Sequence, residues 1–185
     1  DKLVFPTYQK RLINRDEVAQ LTSYFGLDFG YINDPSAFIL LMIDEQHKRI
    51  SFIEEYVRKG LLNDKIAEAI KDLCYSKEVI TADSAEKKSL AEIRQKGISR
   101  IREAKKGPDS VIQGIQFLSQ YEFIVDERCV KLIEELENYT WYKDKKTNEY
   151  INRPVDSYNH VIDACRYAVE GIRSKVKLKT IKGGL

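Results

Sequence analysis

A continuous run of seven apolar residues, 37–43, constrains the fold more than any other feature of the sequence. A short run without a charge is typical of a buried strand. A second apolar segment, 50–57, follows a polar turn at 44–48, and residues 23–28 predict a shorter strand before the run. Because the connections between these strands are too short for a helix, we expect antiparallel neighbours.

Helical and strand patterns alternate along the rest of the chain. Helical spacing and capping residues predict helices at 63–73, 84–97, 109–118, 126–137 and 156–171. Short apolar segments predict strands at 79–82, 98–101 and 123–125. Apolar residues at 141–142 and 150–151 flank a polar segment and predict a β-hairpin. This order indicates a mixed α/β fold, with a central sheet covered by helices.

Composition describes one folded domain. The 185 residues are 43% hydrophobic and carry a net charge of +2, which suits a chain with its own core. No apolar run approaches the roughly 20 residues of a membrane helix, and no signal segment opens the chain. Three widely spaced cysteines, Cys74, Cys129 and Cys165, are interpreted as reduced core thiols rather than as a disulfide framework or a zinc site.

The basic residues are concentrated in two segments. Residues 86–106 contain eight basic and three acidic residues, and five basic but no acidic residues follow Gly171. Such patches can bind a polyanion, and they can also be the solvated face of a helix. The small net charge therefore does not exclude a nucleic acid as partner.

Acidic residues end two of the predicted strands. Asp28 is the last residue of the first predicted strand, and Asp83 follows the strand at 79–82. If these strands are neighbours, both carboxylates project from the edge where open α/β sheets place their ligands. Two carboxylates held close repel each other unless cations lie between them, which indicates a metal. Taken alone, each residue is better explained by a turn or by the start of a helix.

The last predicted helix adds a third carboxylate and an imidazole. His160 and Asp163 are three residues apart, so they are neighbours beside the apolar stripe of this helix. Asp156 lies along the same side, although it is better interpreted as the N-cap. Carboxylates with at most one imidazole suit Mg²⁺ or Mn²⁺ better than Zn²⁺. Two such ions about 3.5–4 Å apart would clamp the attacking and leaving oxygens of a phosphodiester.

Other motifs are excluded. Asp28-Phe29-Gly30 matches the metal-binding triplet of protein kinases, but the remaining kinase motifs are missing. The sequence contains neither a P-loop nor the G-x-S-x-G motif of a serine nucleophile.

Four segments together resemble a known family. In order along the chain they are 26–31 (GLDFGY), 34–37 (DPSA), 80–86 (ITADSAE) and 158–164 (YNHVIDA). Across residues 23–171 they are similar to the C-terminal nuclease domain of tailed-phage terminase large subunits, most closely those of headful-packaging phages of Gram-positive bacteria. The resemblance implies an RNase H-like α/β fold with a five-stranded mixed sheet, whose second strand is antiparallel to the rest. It also implies that the hairpin lies beside the cleft.

The resemblance implies a role for particular residues. Asp28, Asp83 and Asp163 match the acidic triad of the family, and His160 matches a histidine near the metals. The implied cofactors are two Mg²⁺ or Mn²⁺ ions, bridged by Asp28. Arg102, Lys105 and Lys106 follow the fifth expected strand, and we expect them to hold the DNA backbone or to lie in an exposed loop.

The implied activity is endonucleolytic cleavage of concatemeric viral double-stranded DNA during genome packaging. We expect residues 1–22 to be a connector from an upstream ATPase domain, 23–172 the nuclease domain and 173–185 a basic tail. The implied partners are double-stranded DNA, that ATPase domain, the terminase small subunit and the portal protein, in the host cytoplasm and without a membrane. Two alternatives stay open, namely another RNase H-like nuclease such as a Holliday-junction resolvase, and a non-catalytic DNA-binding module.

Overall fold

Strands and helices alternate along most of the chain. The structure, a computed structural model, describes residues 2–30 and 32–182. The strands are β1 (Gln9–Arg11), β2 (Thr22–Asp28), β3 (Pro35–Asp44), β4 (Arg49–Lys59), β5 (Ile80–Ala82), β6 (Ile101–Glu103), β7 (Glu122–Asp126), β8 (Trp141–Lys143) and β9 (Tyr150–Pro154). The helices are α1 (Arg15–Val18), α2 (Asn63–Asp72), α3 (Lys87–Gln95), α4 (Ser110–Leu118), α5 (Val130–Asn138) and α6 (His160–Lys182).

Seven strands form one mixed sheet in the order β1-β7-β4-β3-β2-β5-β6, while β8 and β9 pair separately as a hairpin. β3 is antiparallel to both of its neighbours, and the other neighbouring strands are parallel. The mixed α/β fold, the single antiparallel strand and the additional hairpin are therefore confirmed. The described part of the sheet has seven strands rather than the expected five, and β1 at one edge was missed.

β3 contains the apolar run and is buried on both faces. Alternate side chains point to opposite faces of a strand. Ala37, Ile39 and Leu41 accordingly pack in one core, and Phe38 and Leu40 pack in the other. The first core lies under α4, α5 and α6, and the second lies under α1, α2 and α3. The sheet is thus the middle of three layers.

The first 22 residues belong to this domain, although the sequence predicted a connector. Val4 and Phe5 are buried in the core under α6, and Ile13 and Val18 are buried in the opposite core. β1 extends the sheet by pairing in parallel with β7. The boundary predicted after residue 22 therefore differs from the structure, because buried side chains precede it.

The last helix differs from its prediction at both ends. α6 begins at His160 rather than near Asp156, and it continues to Lys182 rather than ending at Gly171. The backbone of Gly171 is not left-handed, and the guanidinium of Arg102 occupies the space that a side chain there would need. The predicted tail, 173–185, is thus helical as far as Lys182, and residues 183–185 lie outside the described residues.

Smaller differences concern other elements. α3 begins at Lys87 rather than at Ser84, and β6 begins at Ile101, the last residue of the predicted segment 98–101. Cys129 and Cys165 are buried free thiols, as interpreted, but Cys74 is exposed. Within residues 2–30 and 32–182, no helix combines the length and apolar character needed to cross a membrane.

Candidate metal centre

Asp28 and Asp83 lie side by side at the end of two parallel strands. Leu27 of β2 is in register with Ala82 of β5, so the two aspartates are the next residues on neighbouring strands. The backbone N–H of Asp83 donates to the carbonyl oxygen of Leu27 at 3.1 Å, which extends this pairing by one residue. The structure therefore brings together the two carboxylates that the sequence placed at strand ends.

α6 brings Asp163 and His160 to the same edge. The helix packs so closely on β2 that a Cβ atom at Gly26 would overlap the carbonyl oxygen of Ala164. Since Asp28 is two residues after Gly26, its side chain is on the same face of the sheet. Nδ1 of His160 lies 3.4 Å from Oδ2 of Asp28.

The charges of the three carboxylates and of His160 affect the protonation of the site. Burial raises the pKa of Asp28 to about 6, and the charges of Asp163 and Asp83 contribute to this rise, although the hydrogen bond to His160 opposes it. Burial likewise raises the pKa of Asp163. The hydrogen bond to Asp28 raises the pKa of His160 above its usual 6.5. A bound cation would relieve this repulsion.

Two of the carboxylates contact cationic side chains. Nζ of Lys106 forms an ion pair with Oδ1 of Asp83. The guanidinium of Arg166 donates twice to Oδ1 of Asp163, at 3.0 and 2.8 Å. Each of these aspartates therefore already has a positive charge at one of its oxygens.

The donor set fits a hard divalent cation better than a soft one. Three carboxylates and one imidazole supply oxygen ligands with a single nitrogen, as Mg²⁺ and Mn²⁺ prefer. Among residues 2–30 and 32–182, however, no three acidic, histidine or cysteine side chains converge as a ready-made metal site. To bind a metal ion, Asp83 would release Lys106 and Asp163 would release Arg166. The chemical character of these side chains therefore fits a divalent ion, although they are not arranged around one in this structure.

A cleft of about 990 Å³ opens beside Asp163. One wall is the hairpin, where the guanidinium of Arg153 lies 4.6 Å from the ring centre of Tyr142. The start of α4, with Ser110 and Val111, also lines the cleft. The hairpin thus borders the cleft, as the resemblance implied.

The three basic residues predicted to hold DNA have different surroundings. Nε of Arg102 donates to Oγ1 of Thr81 at 2.9 Å. The backbone N–H of Lys105 donates to the carboxylate of Glu170, while the side chain is exposed. Lys106 is the one of the three that the structure places at Asp83. Their role toward DNA stays a prediction.

Two residues important for the geometry were missed. Glu135 accepts the N–H groups of Val161 and Ile162 at 3.0 and 2.9 Å, so it caps the start of α6 in place of the predicted Asp156. The sequence feature that could have indicated Glu135 is its position as a charged residue within the apolar face of a predicted helix, next to Leu136. The second missed residue is Arg166. The feature that could have indicated it is a positive charge one helical turn after Asp163.

Comparison with known proteins identifies the family. A family model described as the terminase RNase H-like domain matches residues 28–171. The large terminase subunit of Bacillus phage SPP1 is 37% identical over 166 residues, covering 88% of this chain and 39% of that protein. The PBSX phage terminase large subunit of Bacillus subtilis (strain 168) is 32% identical over 150 residues, covering 78% of this chain and 33% of that protein. The chain thus spans well under half the length of these relatives.

Solved structures agree with this match. The nuclease domain of the SPP1 large terminase g2p, solved with bound Mn, superposes with a TM-score of 0.84 at 36% identity, covering 91% of this chain and 98% of that one. The nuclease domain of the P22 large terminase shares the fold, with a TM-score of 0.69 at 18% identity and 92% of each chain covered. The RNase H-like fold is therefore confirmed, and the chain belongs to the terminase RNase H-like domain family.

Proposed function

We propose that this domain is a Mg²⁺- or Mn²⁺-dependent endonuclease that cuts double-stranded viral DNA during genome packaging. The observation that carries the proposal is the juxtaposition of Asp28, Asp83 and His160 with Asp163, at the edge of an RNase H-like sheet. It is supported by the SPP1 nuclease domain, which is 36% identical and was solved with bound Mn.

Asp28 is the central ligand in this proposal. Asp28 lies beside Asp83, the residue after β5, and its pKa is raised by the charge of Asp163 on α6, so in this proposal its carboxylate would contribute to both metal positions. Two divalent ions, when bound, supply charge stabilisation at the scissile phosphate and a more acidic attacking water. His160 would hold the orientation of Asp28 or ligate one ion. Arg166 donates to Oδ1 of Asp163, while Oδ2 accepts from Nδ2 of Asn159 at 3.4 Å.

DNA contacts in the proposal are mainly to the phosphate backbone. Lys105 and Lys106 follow β6 and are exposed, and Arg102 lies on β6 itself. Contacts of this kind are sensitive to salt and largely independent of sequence. We further propose that the natural substrate is concatemeric DNA, and that an ATPase domain in the same polypeptide, a terminase small subunit and a portal protein are partners in the host cytoplasm.

The test is cleavage of supercoiled plasmid in Mn²⁺ by the wild type, by Asp83→Asn and by the control Asp72→Asn. We expect Asp83→Asn to cut at least about 100-fold more slowly, because it loses a charged ligand to the metal. Asp72 is an exposed residue at the end of α2, so its variant should cut like the wild type. Undiminished cutting by Asp83→Asn, or no cutting by any of the three, would overturn the proposal.

A second substrate separates the proposed activity from junction resolution. The wild type should cut linear duplex and four-way junctions at similar rates. A strong preference for the junction would favour a resolvase instead.

A further inference from the structure

The loop after β6 is built to deliver a lysine to Asp83. The backbone N–H of Ala104 donates to the carbonyl oxygen of Ala82 at 2.7 Å. The N–H of Lys105 donates to both carboxylate oxygens of Glu170, at 2.8 and 2.9 Å. Since Glu170 lies on α6 and Ala82 directly precedes Asp83, the two anchors fix the loop to the elements that carry the site. Lys106 is the next residue.

The two members of the resulting ion pair differ in exposure. The side chain of Asp83 is only 13% exposed, whereas that of Lys106 is 45% exposed. Oδ1 of Asp83 also accepts the N–H of Ala85 at 3.0 Å, so the carboxylate is held in place from the backbone side. The ammonium can therefore leave by rotation of its own chain, while Asp83 stays where it is.

We infer that Lys106 is an internal counter-cation of Asp83, which a divalent ion displaces, and that the displaced ammonium then binds a phosphate of the DNA. The inference rests on the proposed function, in which Asp83 is a metal ligand. It assigns the lysine two alternative anionic partners, a carboxylate in the metal-free protein and a phosphate in the loaded complex.

Competition of this kind lowers the affinity for metal. A divalent ion must break the Lys106–Asp83 pair before it can bind Asp83, so removal of the ammonium should strengthen binding. Partly exposed pairs of this kind are worth a modest free energy, which corresponds to a few-fold change in affinity. Lys105 carries the same charge on the adjacent residue, but only its backbone N–H is bound, by Glu170. Replacement of the Lys105 side chain is therefore a matched control for the general effect of removing one positive charge.

Mn²⁺ binding, measured by isothermal titration calorimetry without DNA, tests the first half of the inference. Lys106→Gln should bind Mn²⁺ about three- to fivefold more tightly than the wild type, and Lys105→Gln should change the affinity less than about twofold. The inference fails, while the proposed function stands, if Lys106→Gln binds Mn²⁺ no more tightly than the wild type. It also fails if Lys106→Gln and Lys105→Gln gain the same affinity for Mn²⁺. If none of the three proteins binds Mn²⁺, the proposed function fails and the inference with it.

Binding of a short phosphorothioate duplex, which resists hydrolysis, tests the second half. By linkage, the metal that displaces Lys106 should strengthen the binding of DNA through the released ammonium. Mn²⁺ should therefore increase the affinity of the wild type for the duplex about threefold more than that of Lys106→Gln, as followed by fluorescence anisotropy. An equal increase in both proteins contradicts the transfer of Lys106 to a phosphate.

Discussion

Asp28 is the residue at which the chemistry of the site is concentrated. It is contacted by His160, it lies beside Asp83 in the sheet, and its pKa is affected by Asp163 on the helix. A buried carboxyl with anionic neighbours keeps its proton to a higher pH than an exposed one. Below about pH 6 the metal-free site therefore holds a proton that a metal ion must displace on binding.

The pH dependence of metal binding follows from this pKa. Asp28 has a pKa of about 6 instead of the usual 3.8, so the carboxyl is mostly protonated at pH 5 and mostly ionised at pH 7. The raised pKa of His160 adds a positive charge over the acidic part of this range. Mn²⁺ affinity should therefore fall about tenfold per pH unit below about 6.

Calorimetric titrations of the wild type at pH 5, 6 and 7 check this expectation. The comparison is Asp28→Asn, which lacks the central carboxylate together with its competing proton, so it should bind Mn²⁺ weakly at all three pH values. An affinity that is constant from pH 5 to pH 7 in the wild type would contradict the assignment of Asp28 as a ligand.

Some residues of the site could be predicted from the sequence, and others could not. Asp28 and Asp83 were predictable because each directly follows an apolar segment, and the ends of parallel strands meet at one edge of a sheet. Asp163 followed from helical spacing beside an apolar stripe. The contact of Lys106 was not predictable in the same way, because any charged residue in a sequence has many oppositely charged residues available to it. Only the packing of α6 against β2 and the β6 loop selects among them.

At the scale of elements, the site depends on where α6 begins and how closely it lies on the sheet. The beginning is set by Glu135, whose oxygens accept two N–H groups that a helix leaves unpaired at its first turn. The short distance between α6 and β2 depends on Gly26, because the backbone of α6 occupies the space that a side chain at this position would need. Both features are tertiary, so sequence periodicity predicted the helix but not its first residue.

Glu135→Gln should impair cleavage through the start of α6. The amide can accept with only one oxygen, so one buried N–H loses its partner and the free energy of unfolding should fall by about 1–3 kcal/mol. Glu55→Gln is a matched control, because Glu55 caps α5 in the same manner through Lys131 and Leu132.

Denaturant unfolding and plasmid cleavage distinguish the two variants. We expect a loss of stability in both, larger in Glu135→Gln because its two hydrogen bonds are buried, but slower cleavage only in Glu135→Gln, since α6 carries His160 and Asp163. Equal slowing of cleavage in Glu55→Gln would show that stability alone accounts for the effect.

Gly26→Ala should displace α6 from β2. The added methyl group overlaps the backbone of Ala164, and overpacking of this kind costs about 1–3 kcal/mol. Because the helix must move away from the strand that carries Asp28, Mn²⁺ affinity should fall together with the melting temperature.

The control for this variant is Gly107→Ala, where a Cβ atom meets nothing within 4 Å. Thermal unfolding followed by circular dichroism should show little change for the control. A Gly26→Ala protein that melts like the wild type would mean that the close approach of α6 is not required.

At the scale of the whole molecule, the domain is larger than its recognisable motifs. The motifs lie between residues 26 and 164, yet the chain before them contributes an edge strand and side chains to both cores. This contribution was not predictable because residues 1–22 show no sustained alternation, and β1 spans only Gln9–Arg11. A short edge strand is defined by its neighbour in the sheet, here β7, rather than by its own pattern.

Phe5→Ala should therefore destabilise the entire domain. The ring is 5% exposed and lies 5.3 Å from that of Phe123, so its loss leaves a cavity that costs about 3–5 kcal/mol. Leu12→Ala, in the same segment but 58% exposed, should cost less than about 0.5 kcal/mol. Urea unfolding measures both values, and similar small losses for both variants would restore the view that the segment is a connector.

The double burial of β3 has a consequence for how the domain comes apart. β3 is hydrogen-bonded on both sides and contributes alternate side chains to both cores. Partial unfolding that exposes β3 would therefore have to disrupt both cores. The amide protons of β3 should accordingly exchange with solvent only through global unfolding. The two halves of the acidic site, on β2 and on α6, are in this sense assembled and lost in a single cooperative event.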